Sequence, residues 1–381
     1  MSRHLAPSDD QPPKAWKVST PTIWHGITLG RWLGLLSQNQ WAISANRLPR
    51  ALLLFPIATM NSLLTLLAKS SGDAISDAAN LPQDPIFVIG HWRTGTTAMH
   101  ELLLADPRHS SATTYQVMAP NHFWLSHKLL RSPLSTLFPD TRGFDAMRFD
   151  LEAPQEDEFA INALGDGSPY AFFGFPLQAY KRDGRHVFSR AFAEGENRWV
   201  QPWLRLLMKV QADQKDGNLV LKNPTHMARI KTLVSLFPKA RFVHMVRHPY
   251  EVFGSMRTMM AHMLSFQAFQ SDSLNQQQID QIILHTLPEL YRRYDSESHH
   301  IAEDRLHIVK HHDLARDPEG VLRTLYDCFS LERSRTADPK HSAVLESICG
   351  YTPTDHGLSP DEKKAVRDHW AEYAQRYGFE L

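Results

Sequence analysis

The chain has 381 residues, and its 41 Lys plus Arg balance 41 Asp plus Glu, so the formal net charge is zero. That balance argues against a general affinity for nucleic acid or for an anionic membrane, since either needs an excess of cations along the chain. Apolar residues at 42 % and charged residues at 22 % rule out a disordered chain, and two cysteines, Cys328 and Cys349, rule out a disulfide framework or a Cys-based zinc site. The low cysteine usage fits a reducing compartment, so a cytoplasmic location is expected.

Residues 1–20, with Pro7, Pro12, Pro13 and the pair Asp9–Asp10, read as a flexible tail without a secretory signal. Residues 21–80 read as a helical N-terminal region. Within it, Ala51 to Ala68 is about long enough to span a bilayer, but Pro56, Asn61 and Ser62 interrupt it. A buried or amphipathic helix comes first for this segment and a membrane-surface helix second, which leaves peripheral membrane contact through residues 51–68 open.

After a break at Gly72–Pro85, Ile86-Phe87-Val88-Ile89-Gly90 is a short unbroken apolar run, the pattern of a parallel strand buried on both faces. A polar loop leads into a helix over about 96–104. Residues 107–200, rich in Pro and aromatics, read as helices and loops that wall a pocket. Among their aromatics, Tyr115, Phe123, Trp124, Tyr170, Phe172, Phe173, Phe175 and Tyr180, most are expected in the core and a few in the pocket. Further strands are predicted at 219–222, 241–246 and 305–310. Helices follow over 223–237, from Pro249 to about Met260, and from near Pro318. Residues 271–281 read as an exposed loop. Strands alternating with helices predict an α/β fold, with a mainly parallel central sheet flanked by helices and an N-terminal helical extension.

The loop between the first strand and its helix reads Gly90-His91-Trp92-Arg93-Thr94-Gly95-Thr96-Thr97. Two glycines let the backbone turn tightly, and the helix that follows offers free N–H groups and its positive dipole end, a cradle for an oxyanion. Hydroxyls of Thr94, Thr96 and Thr97 and the guanidinium of Arg93 add donors. The spacing matches a nucleotide-triphosphate loop, but Thr96 stands where that loop carries its lysine. Simple helix capping by the threonines is the blander alternative. The strand 241–246 ends at Arg247-His248-Pro249, and Ser255 lies two helical turns on. Ligands of open α/β sheets bind beyond the carboxyl ends of the strands, so Arg247 and Ser255 could converge on a second phosphate. Alternatively, Arg247 pairs with Glu251.

On these residues the chain resembles the P-loop-like sulfotransferases that use 3′-phosphoadenosine-5′-phosphosulfate. Their 5′-phosphosulfate loop is similar to Trp92-Arg93-Thr94-Gly95-Thr96-Thr97, with Trp92 in place of the usual proline, and their 3′-phosphate motif is similar to Arg247-His248-Pro249 with Ser255. The bacterial branch is matched further by Leu221-Lys222-Asn223-Pro224-Thr225-His226, by Glu156-Asp157-Glu158, by Asp313 to Pro318 and by the tail from Gly357 to Gly378. The likeness covers roughly 84–381, which the resemblance marks as the sulfotransferase domain.

The resemblance implies transfer of a sulfuryl group from that donor to a hydroxyl or amine of a small-molecule, glycan or lipid acceptor, with no metal required. It implies that Arg93, Thr94, Gly95, Thr96 and Thr97 hold the 5′-phosphosulfate, that Arg247 and Ser255 hold the 3′-phosphate, and that Lys222 approaches the leaving group. The sequence has no compact metal-ligand spacing. Where related enzymes carry a carboxylate base, this chain has Gln116, and Ala98 stands where the cytosolic branch has an adenine-stacking Trp. The proton acceptor is therefore sought first at His122, second in the cluster Glu156, Asp157 and Glu158, and third at His226. A nucleotide-dependent kinase or NTPase is the alternative function, and a donor-fold protein without catalysis is the third. Neither the acceptor nor the oligomeric state is legible.

Overall fold

The structure is a computed structural model that describes residues 22–71, 81–127, 150–165, 167–194, 198–214, 217–271, 274–332, 339–350 and 354–381. The tail expected over 1–20 and most of the break before the first strand lie outside the described residues. Five strands, β1 (Ile86–Gly90), β2 (His109–Ser110), β3 (Asn218–Lys222), β4 (Arg241–Val246) and β5 (Leu306–Lys310), form one sheet in the order β2-β3-β1-β4-β5. Every pairing is parallel. All five residues of β1 are buried. Alternation sends Phe87 and Ile89 to one apolar layer and Ile86 and Val88 to the other, as the two-residue period of a strand covered on both faces requires.

This order makes β1 and β4 neighbours at which the connections diverge. From β1 the chain goes to β2 and β3 on one side, and from β4 to β5 on the other. The crevice beyond the carboxyl ends of β1 and β4 is therefore a topological switch point. The segments that leave these two strands, His91–Gly95 and Arg247–His248, both open there.

Four details depart from the sequence expectations. Residues 276–281 are not loop but the start of the helix Gln276–Glu297, capped by Asn275 and Gln278 in a reciprocal capping box. Their polar composition is that of a helix N-terminus, and the buried stripe begins at Ile279 and Ile282. The single helix expected over 223–237 is a 3-10 turn, Pro224–Ala228, then a helix, Ile230–Leu236, divided at Arg229. The helix after Pro249 continues to Gln267. Strand β2 has only two residues, too few for any periodic signal.

The N-terminal region packs α1 (Leu29–Gln38) against α2 (Leu48–Ser71). Trp32 meets Phe55 edge-on, and Ser62 Oγ accepts from the backbone N–H of Leu29. Asn61 Nδ2 donates to the carbonyls of His25 and Ile27 at 2.7 and 2.9 Å. Trp24 joins this region to the rest of the chain by donating to Gln267 O.

Candidate functional site

Gly90 and Gly95 are glycine for geometric reasons. Gly90 has φ +148, and a Cβ there would lie 2.6 Å from Met245 O. Gly95 has φ +94, and a Cβ would lie 2.5 Å from His311 Cδ2. Both backbone conformations are ones that L side chains rarely adopt. Between them the loop closes on itself, because Thr94 Oγ1 donates to His91 O at 2.7 Å and Thr94 N donates to the same oxygen. Thr94 thus staples the turn, whereas the sequence suggested a hydroxyl facing an anion. Gly95 is the N-cap of α3 (Thr96–Leu103) and offers no side-chain cap. The first-turn N–H groups of α3 are left for another acceptor. Thr96 is buried, and Thr97 is half-buried.

Arg93 also takes a left-handed conformation, φ +69. Its Nε donates to Ser255 Oγ at 2.8 Å, and Arg247 Nη1 donates to the carbonyl of Arg93 at 3.1 Å. The structure therefore brings together Arg93, Arg247 and Ser255, the charged and hydroxyl members of both sequence motifs. Arg247 and Ser255 are each 5 % exposed. Arg247 Nε also donates to Glu251 Oε2 at 2.6 Å, so the pairing weighed as an alternative exists alongside the convergence. Tyr373 fixes the backbone of Arg247 by accepting from its N–H and donating to its carbonyl. His311 packs over Gly95. Burial, with Arg247 next in weight, holds its imidazole down at about 4, so it stays neutral beside the two arginines.

A second group of residues adjoins the loop. Trp92 Nε1 donates to Tyr170 Oη at 2.9 Å, Tyr170 Oη donates to Glu156 Oε2 at 2.6 Å, and Lys222 Nζ donates to Glu156 Oε1 at 2.7 Å. Burial and the Glu156 carboxylate push the Tyr170 phenol well above its ordinary range, which keeps it a proton donor in this chain. Tyr170 was only one aromatic of many in the sequence, with nothing to mark it, whereas Trp92 and Glu156 stood in quoted motifs.

The other two acids of the cluster serve the fold. Asp157 accepts from Trp203 Nε1, Asn223 Nδ2 and His226 Nε2. Glu158 accepts from Asn223 Nδ2, Thr225 Oγ1 and Arg229 Nη1. Burial opposes their ionisation, but these donors win and hold both carboxyls below the usual carboxylate range. Glu156-Asp157-Glu158 and Lys222 to Arg229 are thus two halves of one clamp, which carries Lys222 to Glu156. Glu158 and His226 are consumed in it. Glu156, with its side chain 15 % exposed, is the acid of the three that still meets solvent.

His122 lies elsewhere in the network. Its Nδ1 is 2.8 Å from Ser126 Oγ and its Nε2 is 3.2 Å from Asn61 Oδ1, and burial holds its pKa at about 4. Nε2 joins the α2 region to the segment after Ala119, and Nδ1 ties that segment to itself. Gln116 is the capping-box partner of Thr113, and its amide donates to Asp213. Among the expected aromatics, Tyr115, Phe123, Phe172, Phe173 and Phe175 are core, and Trp124 and Tyr180 are half-buried.

A strand–loop–helix anion cradle without the nucleotide-binding lysine, joined to a second arginine–serine anchor across a parallel sheet, defines a P-loop-like group-transfer protein. A model described as "Sulfotransferase family" matches residues 85–335. The omega-hydroxy-beta-dihydromenaquinone-9 sulfotransferase Stf3 of Mycobacterium bovis and that of Mycobacterium tuberculosis are each 31 % identical over 366 residues, 96 % of this chain and 93 % of theirs. The crystal structure of sulfotransferase STF9 from Mycobacterium avium superposes with a TM-score of 0.66 at 19 % identity, covering 93 % of each chain. This chain belongs to the sulfotransferase family and is an enzyme of sulfuryl transfer. The kinase alternative and the non-catalytic alternative are set aside.

Proposed function

We propose that this enzyme moves the sulfuryl group of 3′-phosphoadenosine-5′-phosphosulfate to a hydroxyl carried on a long apolar molecule. The observation that carries the donor assignment is the convergence of Arg93, Ser255 and Arg247, held by contacts of 2.8 and 3.1 Å at the switch point. Two arginines this close need anionic charge between or beside them, and a donor with phosphate at both ends supplies it. Arg93 and the uncapped first turn of α3 take the 5′-phosphosulfate, with Gly95, Thr96 and Thr97, while Thr94 holds the loop's shape. Arg247 and Ser255 take the 3′-phosphate, and Arg247 exchanges its Glu251 partner for it.

Glu156 is the proton acceptor in this reading. Its carboxylate is ordered by Tyr170 and paired with Lys222. As the donor enters, Lys222 turns to the sulfuryl and bridging oxygens and frees Glu156 Oε1. The acceptor oxygen then attacks sulfur, the bond from sulfur to the bridging oxygen breaks, and the hydroxyl proton passes to Glu156. The products are a sulfate ester and adenosine 3′,5′-bisphosphate. A long apolar acceptor is supported by the printed substrate of the 31 % identical relatives, an omega-hydroxy dihydromenaquinone. Cytoplasmic placement belongs to the same reading, supported by the free thiols of Cys328 and Cys349, as does peripheral membrane contact through residues 51–68.

The test is incubation with labelled donor and a series of ω-hydroxylated polyprenyl compounds, with hydroxylated sugars as controls. Sulfated polyprenyl product is expected. Label in the sugars alone would overturn the acceptor class, and absence of product together with absence of thermal stabilisation by adenosine 3′,5′-bisphosphate would overturn the donor.

A further inference from the structure

Helix α2 has two opposed apolar faces. One is packed on the protein through Ala51, Leu54, Ala58 and Asn61, all at most 5 % exposed. The other carries Leu48 at 46 %, Leu52 at 56 %, Met60 at 42 %, Leu63 at 58 % and Leu66 at 63 % exposure. At 3.6 residues per turn these five side chains fall on one stripe, with Pro56 between them. Among the described residues, nine large apolar side chains are exposed, and eight of them lie between Leu33 and Leu67. Trp41, just before α2, is 55 % exposed. No charged residue occurs from Ala51 to Ala68.

The charge of this region is equally one-sided. Between Gln11 and Gly72 there are Lys14, Lys17, Arg31, Arg47, Arg50 and Lys69, and no Asp or Glu. The segment is thus strongly cationic inside a chain whose total charge is zero. An exposed apolar stripe in a segment that carries cations and no acid has the chemistry of a helix lying in an anionic bilayer surface. A second copy of the chain would set this positive region against its own like.

We infer that α2 docks the enzyme on anionic lipid, with Leu52, Met60, Leu63 and Leu66 in the acyl boundary and the net positive charge of the 11–72 segment drawing it to anionic headgroups. The helix lies along the surface and does not cross it, because Asn61 on its opposite face is committed to the carbonyls of His25 and Ile27 and to His122. The N-terminal region that carries α2 also contacts the segment that carries Tyr170. Trp24, in the same N-terminal region, packs against Gly174, which ends the 3-10 turn Pro169–Phe173 that carries Tyr170. Docking would hold the enzyme at the bilayer in which a long apolar acceptor dissolves. This deepens the proposed function by naming the source of its acceptor, but the docking itself does not depend on the donor chemistry.

The experiment is flotation of the full chain with phosphatidylcholine vesicles and with vesicles containing phosphatidylglycerol. Binding should rise with the phosphatidylglycerol fraction and fall with salt. The triple variant L52E/L63E/L66E should lower vesicle-bound protein by roughly tenfold or more. Its thermal shift with adenosine 3′,5′-bisphosphate should match the parent's, which separates loss of docking from loss of the donor site. If that variant unfolds, L52S/L63S/L66S should show the same loss. Wild-type protein that stays unbound, equal binding to neutral vesicles, or a serine triple that floats like the parent would each overturn the inference. So would a solution dimer that the triple variant converts to monomer without any vesicle binding, which would assign the face to a second copy.

Discussion

Ser255 Oγ accepts from Arg93 Nε at 2.8 Å, although the two residues belong to different crossover units. The loop after β1 and the helix after β4 are thereby joined through the side chains expected to hold opposite ends of one donor. Arg93→Lys keeps a cation but loses the planar Nε donor and the fork geometry. It should lower kcat by roughly ten- to a hundredfold, measured by steady-state turnover at saturating donor. Unchanged kcat would remove Arg93 from the reacting centre.

Glu156 and Lys222 form one pair, so their variants should not add. Glu156→Gln keeps the shape and the Tyr170 contact but cannot accept a proton usefully. It should lower kcat by about 10²–10⁴-fold with little change in affinity for adenosine 3′,5′-bisphosphate. Lys222→Met should lower kcat too, and the double variant should fall short of the product of the two losses. His122→Ala should retain most turnover while losing stability. An inactive but folded His122→Ala would return the proton to the imidazole.

Asp157 and Glu158 test the clamp separately from the chemistry. Glu158→Ala leaves Arg229 buried without its carboxylate and should cost about 3–5 kcal/mol of stability, read by urea unfolding. A loss below about 1 kcal/mol would mean that the cluster is not holding the 222–229 segment.

Stability should fall as pH drops, in two stages. Burial, largest in each case, holds His91 and His122 at about 4 and His100 and His244 at about 3, against an ordinary 6.5. Below 6.5 the unfolded chain takes up protons that the native chain refuses, so stability is full above 6.5 and declines as pH falls toward these values. The depressed carboxyls of Asp157 and Glu158 contribute stability above their unfolded values of 3.8 and 4.5, and lose it as pH falls through the folded ones. Urea unfolding from about pH 7 to pH 4 should show the first stage, and His122→Asn should make it shallower by the share of one of the four imidazoles. A flat profile would contradict the neutral buried imidazoles.

Gly95→Ala places a Cβ 2.5 Å from His311 Cδ2 at φ +94. It should lower Tm and abolish binding of adenosine 3′,5′-bisphosphate, read by calorimetry. His311→Ala in the same chain relieves the collision but not the backbone strain, so binding should return only in part.

The sheet was legible because buried parallel strands announce themselves as short apolar runs, as Ile86 to Gly90 and Arg241 to Val246 do. Both anchor motifs were legible because glycine spacing and an arginine at a strand end have a mechanical reason to occur. The pairing of Glu156 to Glu158 with Lys222 to Arg229 was not, since a contact between segments 66 residues apart leaves no periodic trace. The only signal was that two polar motifs beside apolar runs must find partners if they are buried. Tyr170 had no signal at all. His122 looked suited to proton transfer by residue type, but its contacts with Asn61 and Ser126, on another element and another turn, left no trace in the sequence. Residues 276–281 misled because a capping box and a polar loop share composition.

Arg93 with α3 and Arg247 with Ser255 are proposed to grip the two ends of one donor. The direct measurement is calorimetric affinity for adenosine 3′,5′-bisphosphate and for adenosine 5′-monophosphate in the parent, Arg93→Ala and Arg247→Ala. Arg247→Ala should erase most of the preference for the bisphosphate, by roughly ten- to a hundredfold, while Arg93→Ala should weaken both ligands. Equal affinities across all three proteins would contradict the account.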